Sequence, residues 1–270
     1  MLTEAQIAAA ADDLLKAEDS RVQTGLLSRR HPGMTLDDAY AIQSAQMTRK
    51  LAAGRKIIGW KIGLTSTVMQ QALGIETPDS GVLYDDMLFE NGATVPAGRF
   101  IQPRIEAEIA FVMKAPLDGE VTREQVLAAT EAVVPSIEIL DTRVMRKDPE
   151  TGQPRVIVDT VSDNAANAGI VLGAERHAPD AHDLRWVGAI LRKNGAVEAT
   201  GLGAAVLDDP VTGLVWLARR MQQYGQRIEA GQVVLSGSFI APIECPPGTR
   251  IEAEFGPFGS VAVSFAGDPA

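Results

Sequence analysis

The sequence predicts an α+β fold in which N-terminal helices pack on a β-rich, mixed-sheet roll. Two patterns carry that expectation. The N-terminal part has helical apolar spacing interrupted by polar caps, whereas the later part is dominated by short period-two runs separated by turn residues. A composition of 46% apolar residues, punctuated by 25 glycines and 15 prolines, supplies a sizeable core without long disorder. Residues 1–75 are expected to form a helical region and residues 76–270 a β-rich body, the two making one continuous unit.

The elements follow in order. Residues 3–17 are expected to be helical, and a second helix spans 36–53, where Thr35 and Asp38 have the form of a capping box and Gly54 supplies the stop. KIIGWKIGL (56–64) reads as a short strand, and Ser66 as the cap of a helix through Ala72 that ends near Gly74. ETPDSGVLYDDM (76–87) is rich in turn residues. RIEAEIAFVM (104–113) alternates as a strand should. Thr122 and Gln125 form another capping box, opening a helix that must end near Val134 because Pro135 follows. SIEILD (136–141) and AGIVLGAE (168–175) read as strands, and WVGAILRKNGAVEATG as a hairpin turning at Asn194-Gly195. Asp209-Pro210 starts a helix through about Tyr224, and VVLSGSFI and TRIEAEFGPFGSVAVSF supply the last strands.

Several functions are disfavoured by the inventory. A net charge of −10 argues against nucleic-acid or anionic-membrane surfaces. The N-terminal segment is acidic and amphipathic, unlike a secretory signal, and no apolar run is long enough to span a bilayer, so a soluble cytoplasmic protein is expected. Cys245 is the single cysteine, which excludes an intrachain disulfide. The three histidines lack zinc-site spacing, and no phosphate loop or nucleophile elbow occurs. An enzyme built from these residues must rely on carboxylates, lysine and backbone groups.

Glu106 and Glu108 share one face of the 104–113 strand, about 7 Å apart along it. Unpaired, they would repel and raise the pKa of one; a hard divalent cation resolves that conflict, with Glu138, which also interrupts an apolar strand, as third ligand. Oxygen ligands favour Mg²⁺, with Mn²⁺ as the alternative. Spacing alone does not separate such a site from a solvated strand face, which is how Glu252 and Glu254 read.

GWKIGLTS (59–66), TPDSG (77–81), PRIEAEIAFV (103–112), VVPSIEILDTR (133–143), VDTVSDNAANAG (158–169), LSGSF (235–239) and FGPFGSVAVSF (255–265) occur in this order along nearly the whole chain. Together they resemble the fumarylacetoacetase-like hydratases and decarboxylases of meta-cleavage pathways. The resemblance implies a metal held by Glu106, Glu108 and Glu138, with Lys61 and Asp79 as catalytic residues. It also implies substrate contacts from Leu64, from Ser162, Asp163 and Asn164, and from Ser236, Gly237 and Ser238. The last two groups also read as ordinary loop chemistry and as a strand bulge.

The implied reaction is addition of water to a 2-hydroxy-2,4-dienoate or its 2-oxo-4-ene tautomer. DPETGQPR (148–155) resembles the branch acting on the seven-carbon 1,7-dioate, for which Arg104, Arg143 and Arg155 are alternative donors to the distal carboxylate. Decarboxylation of an oxalocrotonate, hydration of the five-carbon monoacid, hydrolysis of an acylpyruvate and a non-catalytic scaffold role are the competing readings. A small anionic 2-oxo acid, a homo-oligomer and association with a pathway decarboxylase or aldolase are the implied partners.

Overall fold

The computed structural model describes residues 1–66, 70 and 77–267. Helices α1 (Glu4–Ser20), α2 (Leu27–Arg30) and α3 (Leu36–Ala52) open the chain. Thr3 caps α1 and Thr35 caps α3, each by a reciprocal box with the residue three places on, Gln6 and Asp38. The helix expected from Ser66 through Ala72 lies largely outside the described residues.

Strands β1 (Ile57–Gly63) and β2 (Asp79–Tyr84) are followed by the two-residue strands β3 (Leu88–Phe89) and β4 (Thr94–Val95), then by the long β5 (Arg104–Met113). Helix α4 (Arg123–Ala129) runs into β6 (Thr130–Leu140). After α5 (Ile157–Ser162) come β7 (Asn167–Leu172), β8 (Gly188–Lys193) and β9 (Ala196–Leu202), helix α6 (Pro210–Gln222), and β10 (Val233–Ser238), β11 (Ile243–Glu244), β12 (Arg250–Glu254) and β13 (Ser260–Phe265). This is the expected α+β class.

One sheet has the order β2-β1-β10-β5-β6-β7-β3, with β11 extending β5, and a second has the order β4-β13-β12-β8-β9. The main core combines both: Ile105, Ala107, Ile109 and Phe111 from one face of β5 join Ala189, Leu191, Ile251, Val261 and Val263 of the second sheet. The opposite face of the larger sheet carries a small separate cluster, Leu83, Ala110, Val134, Ile170 and Leu235. Glu106 and Glu108 lie on that second face, and it turns apolar past Glu108 because Ala110 belongs to this cluster.

Two expectations are corrected. The helix predicted to reach Val134 ends at Ala129, and Pro135 lies inside β6 between two neighbouring strands. The proline is tolerated because its carbonyl accepts from Gly173 N–H, one residue beyond the end of β7. In an antiparallel pair a residue's N–H and C=O point the same way, so the missing donor faces the frayed end of the ladder. Similarly, Asp79 and its successors, expected in a turn, form a fully buried strand against β1. Apolar Val82, Leu83 and Tyr84 outweigh the local turn propensity there, Val82 and Tyr84 in the main core and Leu83 on the other face. The hairpin at Asn194-Gly195 is as expected, both residues having positive φ (52° and 83°) as its two-residue turn requires.

Candidate active site

Register assembles the site. Glu106 on β5 lies directly opposite Glu138 on β6, and Glu108 opposite Ser136. One carboxylate oxygen from each of Glu106, Glu108 and Glu138 lies within 4.8 Å of the other two. Across β10, Lys61 of β1 reaches the same face and places its ammonium 3.2 Å from Glu138 Oε1. Asp79 of β2 is the register partner of Gly63 in β1. The five predicted catalytic and metal-binding side chains therefore converge on one sheet face.

Their partners are informative. Glu138 Oε1 accepts from Asn167 Nδ2 at 2.7 Å as well as from Lys61, and Glu108 Oε2 accepts from Gly237 N–H at 2.8 Å. The remaining oxygens, Glu108 Oε1 and Glu138 Oε2, are buried with no hydrogen-bond partner among the described residues, as is Asp79 Oδ1. Burial and the charge of Glu138 push the Glu106 carboxyl up to about 8, and burial, then Glu138 and Glu106, hold Glu108 well above its usual range. Burial likewise raises Asp79, against the opposing pull of Lys61. For Lys61 burial disfavours the ammonium, but Glu138, Asp79, Glu106 and Glu108 together outweigh it and keep the charge well past neutral pH.

Three crowded carboxylates with orphaned oxygens are a poor arrangement by themselves, since each unpaired buried acceptor carries a desolvation penalty. They fit a divalent cation, which supplies both the missing charge and the missing partner; an all-oxygen donor set with room for further ligands suits a hard ion. Asn167 would then fix the orientation of one ligand from outside the coordination sphere.

The predicted substrate-contact residues divide. Gly237 sits in the bulge where the β10–β5 register shifts, with φ 114°, and a Cβ there would lie 2.2 Å from Thr65 Oγ1. Its N–H is taken by Glu108, so it positions a carboxylate in place of facing a free ligand site. Ser236 Oγ and Ser162 Oγ are buried without partners among the described residues, while Ser238 Oγ donates to Ile240 O. Leu64 is half-buried just beyond β1 with φ 55°.

Asp163 and Asn164 are committed to the scaffold. Asp163 accepts from Arg143 Nε and from the N–H groups of Arg143 and Val144. Asn164 closes on Val82 through both amide atoms, at 2.7 and 2.9 Å. That clamp secures three consecutive left-handed residues, Asn164, Ala165 and Ala166 (φ 50°, 51° and 60°), a costly turn that delivers Asn167 to Glu138. Arg143 spends its guanidinium on Asp163 and on the carbonyls of Asp141, Asp163 and Asn167, which removes it as a donor to a distal carboxylate.

Gly63 and Asn167 were not singled out from sequence. A Cβ on Gly63 would lie 2.2 Å from Asp79 Oδ1 and 3.0 Å from Lys61 Nζ, so a bare backbone is what lets these two groups meet. The small residue two positions after a strand lysine was the available signal for Gly63; the second asparagine of DNAANAG was the signal for Asn167. The E-x-E pair Glu252 and Glu254, by contrast, pairs with Arg250 and Arg192 on the other sheet, as the solvated reading required.

No family model matches the chain. It is 44% identical over 94% of its length to 2-oxo-hept-4-ene-1,7-dioate hydratase of Escherichia coli, covering 96% of that protein. It is 40% identical over 98% of its length to 2-keto-4-pentenoate hydratase of Paraburkholderia xenovorans, again covering 96%. The chain belongs to the hydratase and decarboxylase branch of the fumarylacetoacetase-like family. Among solved structures, 4-oxalocrotonate decarboxylase from Pseudomonas putida G7, complexed with magnesium and adipate, superposes with a TM-score of 0.92 at 34% identity, over 98% of this chain and 99% of that one. No helix among the described residues is long and apolar enough to cross a membrane.

Proposed function

We propose that this protein is a Mg²⁺-dependent hydratase, with Mn²⁺ as an alternative ion, that converts 2-oxohept-4-ene-1,7-dioate to 4-hydroxy-2-oxoheptane-1,7-dioate in meta-cleavage catabolism of aromatic compounds. The observation that carries the reading is the cluster of half-buried Glu106 with buried Glu108 and Glu138, the last two with uncommitted oxygens, set beside Lys61 and Asp79. The similarity to the Escherichia coli hydratase supports the choice of substrate.

A divalent cation held by the three glutamates would act as a Lewis acid on the C1 carboxylate and C2 oxygen of the acid, stabilising charge that develops on the enolate. The Lys61 ammonium, charged throughout the physiological range, lies beside Glu138 and adds a fixed donor for the same developing charge. The 2-oxo-4-ene passes a proton from C3 to its C2 oxygen to become the dienol, and the dienol then gives up its C2 hydroxyl proton as C5 takes one up, leaving an enone whose C4 is electrophilic. Water then adds at C4 while C3 takes up a proton. Asp79, with Oδ1 free of partners among the described residues, accepts the proton of the attacking water, and its burial brings its basicity closer to that task. The buried Ser162 and Ser236 hydroxyls, both without partners among the described residues, orient the substrate or water. Leu64, just beyond β1, and Ser238, at the end of β10, contact the substrate beside these groups, and residues 1–75, which supply Lys61 as well as the N-terminal helices, form one unit with the β-rich body of 76–270. We place the enzyme in the cytoplasm as a homo-oligomer that associates with a decarboxylase or aldolase of its pathway.

The decarboxylase reading is favoured by one observation, the TM-score of 0.92 to a 4-oxalocrotonate decarboxylase. A product assay decides between the two. Purified protein with Mg²⁺ is given the seven-carbon dienoate and 2-oxohex-3-enedioate in separate reactions, with hydroxylated product and CO₂ both quantified. Hydration of the former without CO₂ is expected; CO₂ release without hydration of either acid overturns the proposal.

A further inference from the structure

The strand face that holds the carboxylates does not end at Glu106. Arg104 is the next residue on that face, about 7 Å further along β5, so the order is Glu108, Glu106, Arg104. Glu244 on β11 lies opposite Arg104 in register but is engaged by Arg146. Among the described residues Arg104 makes no ion pair, and its half-buried side chain leaves Nε with no hydrogen-bond partner.

A second arginine is in the same condition. DPETGQPR (148–155) forms a tight turn organised by Asp148, whose Oδ1 accepts from the N–H groups of Glu150 and Thr151 at 3.0 and 2.8 Å, and whose other oxygen pairs with Arg29. Arg155 closes the base of this turn by donating its N–H to Arg146 O. Its side chain is half-buried, and Nη1 has no partner among the described residues. Arg155 lies within electrostatic reach of Asp163 first, then of Arg104 and Arg146, and also of Asp79. Most arginines of this chain are ion-paired, as with Arg29, Arg123, Arg143 and Arg192. The two are linked through Arg146, whose carbonyl takes the Arg155 N–H and whose guanidinium holds Glu244 opposite Arg104, and two half-buried guanidiniums without an ion pair among the described residues are unfavourable until an anion joins them.

We infer that Arg104 and Arg155 form the subsite for the distal carboxylate of a dicarboxylate substrate. The inference rests on the hydratase reading for its substrate and names the residues that select the diacid. The spacing suits it: with the keto-acid end at Glu106, Glu108 and Glu138, one further strand repeat separates Glu106 from Arg104, commensurate with an extended chain of seven carbons. A five-carbon monoacid stops short and presents no charge there. Guanidinium pairs suit carboxylate recognition because their planar donors bind both oxygens.

The test uses the whole protein with Mg²⁺ and two readouts. First, calorimetry compares 2-oxoheptanedioate with 2-oxoheptanoate, which share length and keto-acid end and differ only in the distal carboxylate. The diacid is expected to bind the wild-type protein about tenfold or more tightly, the scale of a charge-assisted hydrogen bond. The advantage should shrink several-fold in Arg155→Met and in Arg104→Met and be partly kept in Arg155→Lys. Second, the ratio of kcat/KM for the diacid dienoate over the five-carbon dienoate should fall about tenfold or more in the two methionine variants. Equal affinity of the wild-type protein for the two oxo acids, or variants that lose both substrates in proportion, overturns the subsite. Should a methionine variant not fold, the wild-type comparison and Arg155→Lys still decide. Wild-type protein that binds the oxo acids but hydrates neither dienoate removes the hydratase reading, and the calorimetric comparison then judges the subsite by itself.

Discussion

Glu106 and Glu138 are direct cross-strand partners, side by side on adjacent antiparallel strands with both carboxylates aimed at the same buried face. Like charges directly opposite one another destabilise a sheet. The arrangement is therefore one the bare protein pays for and a cation repays. Replacing either residue should show it. Glu106→Gln and Glu138→Gln are expected to weaken Mg²⁺ binding by at least about tenfold, taking even the weaker effect of outer-sphere changes as a floor. Isothermal calorimetry that finds unchanged affinity in both variants would sink the metal site.

Asn167→Ala tests the support of that site. Its amide is 2.7 Å from Glu138 Oε1, and loss of such an orienting hydrogen bond costs about 10–100-fold in metal affinity. An affinity equal to wild type would show that Asn167 serves only the strand.

Lys61→Met should separate binding from turnover. Removing the ammonium beside Glu138 leaves the metal without a competitor for that carboxylate, so Mg²⁺ affinity should hold or rise while turnover falls by about 100-fold or more. Without metal the variant should melt below wild type, since Glu138 loses the ammonium paired with it. Parallel loss of metal affinity and turnover would contradict the assignment.

Gly63→Ala places a methyl group 2.2 Å from Asp79 Oδ1. The overpacking is expected to cost about 1–3 kcal/mol of stability and to reduce turnover sharply, with denaturant melts and steady-state kinetics as the measurements. Wild-type kinetics would mean that Asp79 moves away without consequence.

The pH dependence of the metal-free protein has a definite sign. Glu106 binds its proton up to about pH 8 in the fold, whereas an unfolded glutamate releases it near its ordinary value of 4.5. The folded state then carries more protons between those values, so stability is greatest below about 4.5 and is lost as pH rises through 8. Denaturant midpoints measured with a chelator at pH 5 and pH 8 should fall with pH. Saturating Mg²⁺ should remove most of the difference, because the ion takes the place of the proton. A midpoint that rises with pH in chelator would contradict the crowding of Glu106 against Glu138.

Much of this was legible in the sequence. The capping boxes at Thr35 and Thr122 and the Asn194-Gly195 turn are local signals, and the local backbone obeys them. Glu106, Glu108 and Glu138 stood out because a carboxylate in an apolar strand demands a reason, and the resemblance supplied Lys61 and Asp79. What was missed depends on neighbours distant in sequence. Pro135 reads as a stop until β7 is seen to end beside it. TPDSG reads as a turn until β1 pairs with it. Asp163 and Asn164 resembled ligand-contacting residues, but Arg143 and Val82, which claim them, are identifiable only in three dimensions.

The position of β10 has a consequence for biosynthesis. It lies between β1 and β5, joining residues 59–61 to 233–235 in parallel and 233–238 to 108–112 in antiparallel fashion. Until a ribosome has released that strand, Lys61 has no sheet to carry it to Glu138, and Glu108 lacks the amide that orients it. The three ligands meet on β5 and β6 alone, so ion capture on nascent chains should be weak and should tighten once β10 supplies the Gly237 amide to Glu108, which makes tight metal binding a reporter of completed folding.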